Sequence, residues 1–87
     1  MIWDLNQYLT EISDYLGDIE DPNKEIGQAI KEINAINTAM KTGQPDPDNL
    51  RGPAERLAAL VPAIQKVDQD GAAAVESISR NILAALE

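Results

Sequence analysis

Apolar residues fall three and four positions apart through most of the first half of this chain. Ile2, Leu5, Leu9, Ile12, Leu16 and Ile19 step by 3, 4, 3, 4 and 3. That spacing lays one apolar stripe along an α-helix, as a seam that packs against another helix. The same phase passes Pro22 and continues through Ile26, Ile30, Ile33 and Met40, with Asn23 and Asn37 at stripe positions as register-setting polar residues. Tyr8, Tyr15, Ala29 and Ile36 lie beside the seam and widen it. A strand reading fails, because period-two alternation is absent. The spacing predicts an all-α fold.

Local signals refine this picture. Asp4 as N-cap with Gln7 three positions on makes a capping box, and Trp3 with Tyr8 makes a hydrophobic staple. Asp21-Pro22 suits a helix start, yet the apolar phase does not reset there. Residues 4–42 therefore read as two nearly collinear helices, or one helix kinked near Pro22. The clear reversal is Thr42-Gly43-Gln44-Pro45-Asp46-Pro47-Asp48-Asn49, rich in turn residues. Helix resumes near Gly52-Pro53. Leu57, Leu60, Ile64 and Val67 continue the stripe, followed by Val75, Ile78, Ile82 and Leu86. Pro62 is expected to kink this second arm, and Asp70-Gly71 to weaken it.

The predicted architecture is one domain, residues 1–87, built as a long antiparallel helical hairpin. Its arms are 4–42 and 53–87, and its Pro/Asp-rich tip is the loop 43–52. A first arm of this length would run roughly 57 Å at 1.5 Å per residue. A two-helix hairpin buries one stripe per helix. Leftover apolar positions such as Tyr15, Ile36, Val61 and Leu83 then want a partner. The rival is a closed four-helix bundle with arms 4–20, 22–42, 53–69 and 72–87. Its junctions, at 21 and 70–71, look shorter than helix connections usually are.

Composition narrows the chemistry. The chain has 87 residues, enough for one small domain. It holds no Cys and no His, which excludes a disulfide framework, a thiolate nucleophile, an imidazole base and His- or Cys-ligated metal. Asp14 and Asp18 sit four apart on the polar face and read as a solvated acidic surface. Glu20, Asp21 and Glu25 are the nearest approach to a hard-cation site, and no calcium-loop or phosphate-loop pattern occurs. No enzyme activity, metal or other cofactor is expected.

The net charge is −8 and the isoelectric point is near 4.3. Residues 1–21 carry Asp4, Glu11, Asp14, Asp18, Glu20 and Asp21 and no base, so three quarters of the net charge lies in the first quarter of the chain. Such a surface repels nucleic acid and anionic membranes. No apolar run approaches the roughly 18 residues of a membrane span. Neither nucleic-acid binding nor membrane insertion is expected. No Lys or Arg precedes Lys24, so a cleaved secretory signal is not expected either.

Several of these features resemble the needle subunits of bacterial type III secretion systems. Those are helical hairpins of similar length without Cys. Here Trp3 is followed by Tyr8-Leu9-Thr10-Glu11-Ile12-Ser13, the turn carries Pro45-Asp46-Pro47-Asp48-Asn49, and the end reads Ile82-Leu83-Ala84-Ala85-Leu86-Glu87. The resemblance implies a non-enzymatic structural protein that self-assembles into a helical filament, a hollow conduit for protein export. It would be secreted or at the cell surface without a cleaved signal. Its partners would be further copies of itself, with secretion-system components and chaperones. The C-terminal helix would line the channel and the N-terminal segment would lie outside. Candidate assembly residues are Trp3, Tyr8, Leu9, Ile12, Tyr15, Ile36, Val75, Ile78, Ile82, Leu83 and Leu86, with the loop tip at Pro45, Asp46, Pro47, Asp48 and Asn49. The alternative is an acidic helical partner-binding or inhibitor protein in the cytoplasm: a discrete dimer, a chaperone-like hairpin or a nucleic-acid mimic.

Overall fold

A computed structural model describes residues 5–41 and 47–86, with side chains from Gln7 onward. All the secondary structure in these residues is helical. The helices are α1 (Leu5–Gly17), α2 (Lys24–Lys41), α3 (Pro47–Gln65) and α4 (Gln69–Leu86). The all-α class expected from the three-four spacing is what the chain adopts.

The arms do not run straight. A collinear first arm would span roughly 57 Å at 1.5 Å per residue, whereas the molecule measures 36 × 21 × 18 Å. α1 folds back along α2: Ser13 Oγ donates to Asn34 Oδ1 at 3.4 Å, and Asn37 Nδ2 donates to Thr10 Oγ1 at 3.2 Å. Residue numbers rise on one helix as they fall on the other, so the pair is antiparallel. α2 and α3 are antiparallel by the same test. Asn23 Nδ2 reaches the Ala63 carbonyl at 3.1 Å, and Arg56 pairs with Glu32 at 2.8 Å. α4 packs along α3 and, over a shorter stretch, along α1. The arrangement is the four-helix bundle that the sequence left as the rival.

The boundaries show why the bundle closes. The helices end earlier than their apolar phase suggests, leaving residues 18–23 and 66–68 as connections of ordinary length for packed helices. Pro22 lies in the first reversal and breaks the arm there. The next helix is capped by Asn23, not Asp21. Asn23 Oδ1 accepts the Ile26 N–H at 3.0 Å, satisfying one of the donors that a helix start leaves unpaired. Asp21 takes a left-handed backbone, φ 52°, inside the reversal. In the second arm α3 passes through Pro62 to Gln65, and the break follows at Lys66–Asp68. Asp70 and Gly71 lie in the first turn of α4, which Asp68 caps by accepting the Gly71 N–H at 2.9 Å. The expected loop 43–52 is also shorter at its second end. Pro47, Asp48 and Asn49 form the first turn of α3, with Pro47 at the position where a missing N–H costs nothing. Pro45 and Asp46 lie outside the described residues, as do the Asp4 cap and the Trp3 staple.

Among the described residues, all four helices contribute to one core within a single chain. Leu9, Ile12 and Leu16 of α1 meet Ile26, Ala29, Ile33 and Ile36 of α2, Leu50, Ala54, Leu57 and Ile64 of α3, and Ala72, Val75, Ile78 and Ile82 of α4. Burying a large aliphatic side chain is worth about 1.5–3 kcal/mol, so these positions are the main stabilising term. The stripe rotates between the first two helices. α2 buries Ala29 and Ile36 from beside the seam, whereas α1 leaves Tyr8 and Tyr15, at the equivalent positions, exposed. α2 lies between α1 and α3 and needs the wider face.

If Asn23 closes the reversal end, Asn23→Ala should destabilise the fold by about 1–2 kcal/mol in urea unfolding. Asn23→Ser keeps a capping oxygen but loses the bond to Ala63, and should fall between the two. An Ala variant as stable as the parent would contradict this assignment.

Candidate functional site: the acidic tyrosine face of α1

The bundle sorts the predicted assembly residues into two groups. Leu9, Ile12, Ile36, Val75, Ile78 and Ile82 are buried inside the single chain, each 4% exposed or less. Their burial needs no second copy, because α1 and α4 fold back onto the stripes that an open hairpin would leave bare. Tyr8 and Tyr15 are exposed, at 38% and 44%, and Leu83 and Leu86 are half-buried at the edge of the core. Trp3 lies outside the described residues.

The exposed tyrosines belong to a line of their own. Tyr8, Glu11 and Tyr15 step by 3 and 4 along α1, and Asp18 follows three on, just past its end; each is one residue before a member of the line Leu9, Ile12, Leu16 and half-buried Ile19. Residues spaced this way share a helix face. That face presents two aromatic rings between carboxylates, and Asp14 flanks it, also exposed. At its C-terminal end the line meets the start of α4. Tyr15 Oη donates to Asp68 Oδ2 at 2.7 Å, the same oxygen that caps the helix. Gly71 is what permits this approach. A Cβ there would lie 3.0 Å from Asp68 Oδ2 and 3.1 Å from Leu16 Cδ2. Glu20, Asp21 and Asp70 are exposed in the reversal and in the first turn of α4, so carboxylates dominate this end of the bundle.

Ion pairs do not neutralise it. The pairs Glu32–Arg56 and Glu76–Arg80 lie elsewhere, on α2, α3 and α4. The field at Tyr15 reflects this. Its phenol is pushed above the ordinary value, first by the hydrogen bond to Asp68, then by desolvation and by the charges of Asp68 and Asp70.

One other feature is less selective. A shallow groove of about 550 Å³ runs between α3 and α4, floored by Val61, Pro62, Leu83 and Ala84 and edged by the Glu76–Arg80 pair. No group of three or more metal-ligating side chains occurs among the described residues. Nor is any helix among them long and apolar enough to cross a membrane.

The α1 line is present in the sequence, one residue out of phase with the seam. The expectation that Tyr8 and Tyr15 widen the seam does not hold, since both are exposed. Asp68 is not among the expected site residues, although an Asp three residues before Gly71 is an N-cap signal for α4.

Ionising Tyr15 breaks its bond to Asp68 and sets two negative charges together. Its contribution to stability is therefore present below the ordinary phenol pKa near 10 and lost as pH rises through the raised folded value. In a Tyr8→Phe background, ultraviolet titration should show Tyr15 ionising above the usual phenol range. Asp68→Asn retains a capping side chain and should return the titration toward the ordinary value. An unchanged midpoint would remove Asp68 as the cause.

The chain matches no known family model, no curated protein and no solved structure.

Proposed function

We propose that this chain is a non-enzymatic helical module that binds a basic protein partner through the α1 face of Tyr8, Glu11, Tyr15 and Asp18. The observation that carries this reading is the exposed alternation of aromatic rings and unpaired carboxylates on one helix line. Tyrosine buries a large rigid surface at low entropic cost and also attracts cations over its ring. Carboxylates beside it select Lys and Arg and steer them to the surface. A core closed within one chain supports a discrete unit. The fitting partner is an amphipathic helix with one apolar and one basic edge.

Charge alone is the trivial explanation, so the test controls for it. A synthetic amphipathic Lys/Arg-Leu helical peptide and a scrambled peptide of identical composition would be titrated into labelled protein and followed by NMR. The amphipathic peptide should bind at least tenfold more tightly, with shifts confined to α1 and to residues 66–70. Tyr8→Ala/Tyr15→Ala should abolish the preference while leaving a salt-sensitive residue of binding. Equal binding of both peptides, or shifts centred on α3 and α4, would sink the reading.

A second reading has an observation of its own. The three-four spacing runs on through both reversals, by Leu16, Ile19, polar Asn23 and Ile26 in the first and by Ile64, Val67, Gly71 and Val75 in the second. That continuity favours an opened hairpin able to stack into a filament resembling a secretion needle. Such a filament would expose the present core to neighbouring subunits. Negative-stain microscopy of concentrated protein should then reveal long uniform tubes. Particles no larger than a small oligomer at all concentrations would exclude it.

A further inference from the structure

The two reversals lie side by side at one end of the bundle. Asn23, at the end of the first, donates to the carbonyl of Ala63 near the end of α3. Asp68, at the end of the second, accepts from Tyr15 near the end of α1. Extending both connections at once would carry α1 and α4 away from α2 and α3 in a single motion. We infer that the chain exchanges halves with a second copy of itself. In the exchanged dimer, α1 and α4 of each copy pack against α2 and α3 of the other.

Four observations support this. The apolar phase continues through both connections, so each arm has the pattern of an extended helical unit. The apolar members inside the reversals are incompletely buried in the closed form: Ile19 is half-buried and Val67 is 36% exposed. Asp21, a residue with a Cβ, is held at φ 52°, a conformation that an extended connection would release. Finally, the α1–α2 interface includes polar contacts at its edge. Ser13 meets Asn34 and Asn37 meets Thr10, and Asn37 Oδ1 is shut from solvent with no partner. Exchange re-forms each of these contacts between copies, so it needs no new surface and costs little at high concentration. Short connections that must reverse under strain favour it.

This inference does not depend on the basic-partner reading. With the filament reading it shares only the opening of the two connections, because the exchanged dimer closes on itself and stops at two chains.

The absence of Cys makes single introduced thiols clean reporters. Thr10→Cys and Asn37→Cys chains would be mixed, unfolded, refolded together at high concentration and treated with a short bismaleimide. Positions 10 and 37 meet across the α1–α2 interface, so a heterodimeric crosslink forms only where the two helices come from different chains. The Thr10→Cys/Asn37→Cys double variant, refolded dilute, should crosslink within one chain, which verifies that the sites still meet and the fold survives. We expect a crosslinked heterodimer in the co-refolded mixture and none when separately refolded monomers are mixed cold. Asp21→Gly relieves the left-handed backbone and should lower the dimer fraction at least threefold. Asp21→Val opposes that backbone and should raise it by a similar factor. No interchain crosslink in any variant overturns the inference. So do equal dimer fractions for the Gly and Val variants, or crosslinks found only in species larger than a dimer, which would assign the opened form to a filament.

Discussion

One carboxylate oxygen holds the closed end of this bundle together. Asp68 Oδ2 accepts the Gly71 N–H that opens α4 and the Tyr15 hydroxyl that ends the exposed line of α1. The first bond starts α4 in place after a connection of three residues. The second ties it to α1, the helix farthest from it in sequence. Across the same end Asn23 does a parallel double task, capping α2 with its oxygen and binding the Ala63 carbonyl with its nitrogen. Two short polar side chains thus satisfy backbone groups that two helix starts and one helix end would otherwise leave unpaired. They add fixed polar contacts at the reversals to the apolar packing that keeps the helices folded back.

The charge distribution follows from the same geometry. Folding α1 back against α2 and α4 turns its apolar line inward and leaves its acid-and-tyrosine line outward. The reversal adds Glu20 and Asp21, and the first turn of α4 adds Asp70. Acidic residues near the start of α4 also suit its dipole. The end of α1 gains nothing of that kind, since Asp14 in its last turn and Asp18 just beyond it lie at its partly negative end. Carboxylates placed against the local dipole and left without cations are costly to stability. That cost is one reason to look for a basic partner.

A bundle made by doubling a helical hairpin has an uncommon property. Its apolar pattern fits both the doubled and the extended form, because a stripe spaced three and four apart reads the same on either side of a reversal. The closed form wins in a single chain since it buries two stripes per arm against each other without a neighbour. Its two short connections carry one residue in the left-handed region, Asp21, and the two helix caps Asn23 and Asp68.

Much of the helical content was legible in the sequence. The three-four spacing marked helix across the chain, and the core positions Leu9, Ile12, Leu16, Ile26, Ile33, Leu57, Ile64, Val75, Ile78 and Ile82 can be read from it directly. The charge asymmetry and the lack of imidazole and thiol chemistry are properties of composition that folding leaves unchanged. The path of the chain was not legible. Continuous phase predicts a straight arm, and Pro22 and Pro62 mislead in opposite ways: the first lies in a true reversal, the second inside a helix. Periodicity is a local property of each helix face and carries no information about which face meets which neighbour. That choice belongs to the tertiary structure. Only there do the six residues at 18–23 and the three at 66–68 prove sufficient to turn, the Asn23 and Asp68 caps find partners tens of residues away, and Tyr8 and Tyr15 fall on the outside of the bundle.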